Sequence, residues 1–246
     1  MAIQNKKSSD AVVIVACMDK RLHYAVEEKA KEFMKIYGPN VNVLVFRNAG
    51  ASVKAFEGAL KDAARDYNLK ALTILAHNEG CKGMALVFGA LKEGVPVSSE
   101  MQSSLVDPFK GHNFANTSEL ETLNPDVQAK YARDFLGKSV IVAAELVDLK
   151  RANVEEGEHR IFMMTPGTAD YEPAMDSKRG GAYVLQASNL DQVYADLSVG
   201  VSLLKIRKGI FVASSAEEAR RVRNDMNIAR MKLANPEVEI TYLGTY

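Results

Sequence analysis

The sequence predicts an α/β fold with a mainly parallel sheet flanked by helices. Short apolar, β-branched runs recur along the first half of the chain: Val12 to Ala16, Val41 to Phe46 and Ala71 to Ala76. Runs of this length without polar alternation are the mark of strands buried on both faces. Between them lie segments whose apolar residues fall three and four apart, the spacing of one helix face. Strand, helix, strand, helix, strand at these lengths calls for right-handed crossovers and parallel neighbours.

Each element has its own warrant. After the first run, Leu22, Val26, Ala30, Phe33 and Tyr37 line a helix that Gly38-Pro39-Asn40 stops. After the second, Arg47-Asn48-Ala49-Gly50 reads as a loop, and Phe56, Leu60, Ala63 and Tyr67 line the next helix. The third run ends at His77; Asn78-Glu79-Gly80 then leads into an apolar stretch from Cys81 to Leu91. Residues 94–123 are polar and carry no clear period. Pro125 reads as the first residue of a helix capped by Asn124 and running to about Leu136. Ser139 to Val147 and Arg160 to Met164 are further strands, and residues 165–182 a loop. Beyond them, Leu190, Val193, Leu197, Val201 and Leu204 mark a helix, and Gly209 to Ala213 a strand. Ser214 or Ser215 caps a helix that buries Ala219, Val222, Met226, Ala229 and Leu233, and Val238 to Leu243 is a last strand. No linker of Pro and Ser divides the chain and no internal repeat is visible. Residues 1–246 therefore read as one domain, with a core over about 11–165 and a C-terminal α/β extension over about 183–246.

Composition narrows the function classes. The chain has 246 residues, 47% apolar and 25% charged, enough for a sizeable core. Lys and Arg together number 31, as do Asp and Glu, so no global basic field exists to draw in nucleic acid. No run approaches the roughly 18 apolar residues of a membrane span. The apolar run near the N-terminus is short and ends in Cys-Met-Asp-Lys-Arg, so it reads as a strand and not as a signal peptide. Two cysteines make no disulfide framework and suit a reducing compartment, which places the expectation in the cytoplasm.

Three segments carry the chemistry, each just past the carboxyl end of an expected strand, where open parallel sheets form their sites. They are Cys17-Met18-Asp19-Lys20-Arg21, Arg47-Asn48-Ala49-Gly50, and His77-Asn78-Glu79-Gly80-Cys81-Lys82-Gly83-Met84. Zinc favours thiolate and imidazole, and a catalytic zinc keeps three protein ligands and one open position. Two thiols and one imidazole at one sheet edge fit that count, provided the first and third strands are neighbours. Asp19 and Arg21 are close enough in a turn to pair, the guanidinium fork keeping the carboxylate ionised. Such a carboxylate could ligate the metal or take a hydrogen bond from a group on it.

Cys-x-Asp-x-Arg, Arg-Asn-Ala-Gly and His followed by Cys-x-Gly-Met, in that order, resemble the β-class carbonic anhydrases. The resemblance spans roughly residues 11–150. It implies zinc held by Cys17, His77 and Cys81, with Asp19 and Arg21 as the dyad beside it. It implies hydration of carbon dioxide to bicarbonate and a proton by a zinc-activated water. It also implies a homodimer or a multiple of dimers, for which residues 94–123 would offer a contact, and no nucleic acid or membrane partner. His23 and His112 are candidates to carry the released proton to bulk.

The family spaces its last two ligands as His-x-x-Cys, whereas here one more residue separates His77 from Cys81. Either Gly80 bulges the loop and Cys81 is kept, or Glu79 replaces Cys81 as the ligand. Three other readings stay open. A hydrolase of carbonyl sulfide or carbon disulfide uses the same ligands. A non-catalytic relative keeps at most the metal. An anion-binding module would use Gly50 and Gly80-Cys81-Lys82-Gly83, although neither stretch matches a nucleotide fingerprint.

Overall fold

Asp10–Cys17 forms β1, and every residue from Ala11 to Cys17 is buried, so both faces of this strand are covered. The structure is a computed structural model; it describes residues 9–149, 160–164, 183–186, 190–212 and 239–243, with 217, 220, 221, 224 and 225. A tight turn over Lys20–Leu22 leads into α1, His23–Tyr37, which buries Leu22, Val26, Ala30 and Phe33 and stops at Gly38. Then come β2 (Asn42–Asn48), α2 (Glu57–Asp66), β3 (Asn68–His77) and α3 (Lys82–Phe88). Strand β1 lies between β2 and β3, parallel to both, with Cys17 opposite Asn48 and Ala16 opposite Leu75. The expected adjacency of the first and third strands therefore holds. Strand β4 (Ile141–Val147) joins β3 in parallel, with Val147 opposite His77.

Residues 94–123 are more helical than the sequence suggested. Ser99–Met101 is a short α4, wider and tighter turns continue to Phe109, and α5 runs over Thr117–Leu136. Helix α5 therefore begins eight residues before the expected Pro125. Its cap is Asn116, whose Oδ1 accepts the Glu119 N–H at 2.9 Å while Glu119 Oε2 accepts the Ala115 N–H at 2.8 Å. This pair of bonds, a capping box displaced by one residue on the Glu119 side, sets the start. Pro125 is tolerated inside the helix at the cost of one backbone bond, and Asn124, far from being a cap, is buried and donates from Nδ2 to the Gly50 carbonyl at 2.9 Å. Met101, Leu105, Val106 and Phe109 face the core.

The C-terminal region continues the same sheet. Strands β5 (Arg160–Met164), β6 (Tyr183–Gln186), β7 (Lys208–Val212) and β8 (Glu239–Leu243) accompany α6 (Leu190–Leu203), which buries Val193, Leu197 and Val201. The full order is β4-β3-β1-β2-β6-β5-β7-β8. The loop expected over 165–182 and most of the helix expected after Ser214 lie outside the described residues. No helix among the described residues is long and apolar enough to cross a membrane.

Candidate metal centre

The carboxyl ends of β1 and β3 bring Cys17 and His77 to one sheet edge, and the turn after β3 returns Cys81 to them. Their ligand atoms lie within 4.8 Å of one another, and all three residues are buried. A tetrahedral zinc with 2.3 Å bonds to sulfur needs sulfurs about 3.8 Å apart, so small side-chain rotations close the triangle. His77 Nδ1 lies 2.8 Å from the Asn78 carbonyl and donates to it, which leaves Nε2 as the basic nitrogen. That Nε2 is buried and has no hydrogen-bond partner. A buried orphan nitrogen beside two buried thiols is unfavourable unless something else completes it, and a thiophilic cation does. The residues present therefore fit zinc.

The charges agree. A hydrogen bond from Cys81 holds the Cys17 thiol well below its usual range despite burial, and Cys81 is raised in turn. Burial pulls the His77 imidazole down, but the Cys17 and Asp19 charges outweigh it and lift it to about 9. Acidic groups and a basic imidazole thus face one another across the triangle, and a dication bound there would displace the imidazole proton.

Asp19 and Arg21 form the expected pair. Arg21 Nε and Nη2 donate to the two carboxylate oxygens of Asp19 at 3.0 and 2.8 Å, and the Arg21 backbone N–H adds a third bond at 2.9 Å. Burial opposes ionisation of Asp19, but the Arg21 bonds and the His77 charge outweigh it and hold the carboxyl below its usual range. Asp19 Oδ2 stands 3.8 Å from His77 Nε2, at the rim of the triangle.

The turn from His77 to Cys81 curls by taking two left-handed positions in succession, Glu79 at φ 60° and Gly80 at φ 88°. Gly80 suits this; Glu79 costs about 1 kcal/mol there. The turn is pinned at its middle and at its Cys81 end. Arg21 Nη1 donates to the Glu79 carbonyl at 3.1 Å, and Glu121 Oε1 accepts the Gly80 and Cys81 N–H groups at 3.0 and 2.7 Å. The Glu79 side chain is exposed.

Sequence reasoning named Arg47 without what it holds, and missed Glu121 and Asp196. Arg47, fully buried, is part of β2 and not of a loop; it donates twice to the Cys17 carbonyl and once to the Asp19 carbonyl. Its Nη1 also reaches His23 Nδ1 at 2.6 Å, which ties up one candidate proton carrier; the other, His112, is exposed. Glu121 lies forty residues from the turn it braces, so no local pattern announces it. The loop after β2 is fixed by Asn48 and Ser52 bonding each other, by Gln128 and by Asp196 from α6.

That loop sits directly on α3. A Cβ at Gly83 would lie 2.5 Å from the Gly50 nitrogen and 2.8 Å from its Cα, both backbone atoms. Gly83→Ala is expected to lower stability by about 2–3 kcal/mol, read as a shifted urea midpoint at constant slope. An unchanged midpoint would show that the loop and α3 are not seated in this way.

No family model matches the chain, and no curated protein matches it. Among solved structures, a carbonic anhydrase from Glaciozyma antarctica is similar at a TM-score of 0.31 and 16% identity, over 57% of this chain and 78% of that chain. A likeness that loose carries no argument about function; the site does.

Proposed function

We propose that this chain is a zinc-dependent enzyme that hydrates carbon dioxide to bicarbonate and a proton. The observation that carries the reading is the buried triangle of Cys17, His77 and Cys81, with an Arg21-clamped Asp19 carboxylate at its rim. Three protein donors leave one tetrahedral position for water, the arrangement of a catalytic and not a structural zinc. Zinc held there would supply Lewis acidity, bringing a coordinated water to a pKa of about 7.

The chain's own residues do the rest. The Asn78 carbonyl fixes the His77 tautomer, so that Nε2 presents its lone pair to the metal position. Asp19, kept ionised, is an acceptor beside that position and orients a proton there without taking it. Arg21 holds Asp19 through both carboxylate oxygens and holds Glu79 by its carbonyl, so the dyad and the ligand-bearing turn keep one mutual geometry. Two buried free cysteines suit a reducing compartment, and we assign the protein to the cytoplasm.

Arg21→Ala separates orientation from metal binding. Zinc content should stay near one per chain while kcat for carbon dioxide hydration falls by roughly tenfold to a hundredfold. Unchanged activity in the zinc-loaded variant would remove Asp19 and Arg21 from the mechanism.

A further inference from the structure

The strand order is a palindrome. From the junction outward, the first half reads β2, β1, β3, β4 and the second reads β6, β5, β7, β8. In each half the first strand in sequence lies inside, the second lies at the junction, the third on the other side and the fourth at the open edge. Both halves are parallel throughout, while the junction, Arg47 opposite Gln186, is antiparallel. A two-fold axis normal to the sheet at the junction produces this arrangement and no other: it reverses the order and the direction of the strands together. The helices agree, since α2 lies between the second and third strands of one half and α6 between those of the other.

We infer that β5 to β8 and α6 occupy the place of a second subunit within the same chain, and that this second unit completes the metal site of the first through Asp196. The second unit cannot hold such a site itself. Its range contains no cysteine and no histidine, the last histidine being His159. It does reach the first unit's site. Asp196 is buried in α6, and its Oδ1 accepts the Ala49 N–H at 2.8 Å while Oδ2 accepts Gln192 Nε2 at 2.6 Å. Ala49 follows Asn48, whose carbonyl accepts the Met18 N–H, the residue after Cys17. Gly50 abuts Gly83, two residues after Cys81. Asp196 thus braces the loop on which both cysteine-bearing segments rest. At the rim, Lys20 lies over the Tyr183 ring of β6 at 5.8 Å. Strand β2 meets β6 at its carboxyl end, where Arg47 lies opposite Gln186, so that part of the junction edge is already taken within the chain.

The inference is tested by mass and by metal affinity. Its affinity arm rests on the proposed zinc site, but zinc content of the wild type reads that proposal and the difference between variants reads this one. Light scattering of the zinc-loaded protein over a wide dilution series should give one species of 26.9 kDa with one zinc. A dimer that persists through the series would overturn the assignment of both units to one chain. Asp196→Ala leaves the Ala49 N–H without its acceptor and should weaken zinc about tenfold in chelator competition. Asp196→Asn can accept the same N–H, with the Gln192 amide reversed, and should restore it. Should Asp196→Ala fail to fold, Gln192→Ala, which frees one carboxylate oxygen, should show a smaller loss. Wild-type affinity in whichever of the two folds would overturn the role of Asp196.

Discussion

Cys17→Ser is expected to leave a folded protein almost free of zinc. The serine hydroxyl does not ionise near neutral pH, so the site loses a thiolate and keeps one sulfur and one imidazole. Two donors hold zinc far more weakly than three, and a drop of more than about a hundredfold in affinity follows, beyond what loss of a supporting residue costs. The fold should survive, because β1 is paired on both sides and the hydroxyl adds about 1–3 kcal/mol of unsatisfied burial. Metal analysis after dialysis, with a thermal melt as control, checks both halves of this expectation. Stoichiometric zinc in the folded variant would show that Cys17 is not a ligand.

Cys81→Ser should match that loss, while Glu79→Gln should bind zinc as the wild type does. An extra residue left extended would displace the chain by up to about 3.5 Å, enough to lose a ligand. The turn avoids this by curling through Glu79 and Gly80, and the bonds from Arg21 and Glu121 keep it curled. Cys81 consequently returns to the triangle at 1% exposure, and Glu79 is exposed. The reverse pattern, zinc lost with Glu79→Gln and kept with Cys81→Ser, would place a hard oxygen in the site and undo the proposed chemistry.

The cluster of Cys17, His77 and Cys81 was legible because buried parallel strands are plain in sequence. Continuous apolar runs place Cys17 and His77 at strand ends, and parallel order then makes those ends neighbours. The Asp19–Arg21 pair was legible for the same local reason. Helix α5 was misjudged because Pro125 is a stronger signal than the Asn116-x-x-Glu119 capping box that in fact starts it. Arg47, Glu121 and Asp196 could not be read out. Each sits inside a helix or strand, and the site segments it holds lie 24 to 147 residues away. The two-unit plan left no repeat in the sequence either, because strand order depends on where the chain crosses over and not on which apolar residues fill the strands.

The most direct test combines metal analysis of the purified protein with a carbon dioxide hydration assay on the same sample. The account predicts about one zinc per chain, hydration activity that is lost on chelation and returns with zinc, and neither in Cys17→Ser. A folded protein that carries no zinc and takes none up, or one that holds stoichiometric zinc and hydrates no carbon dioxide, would contradict it.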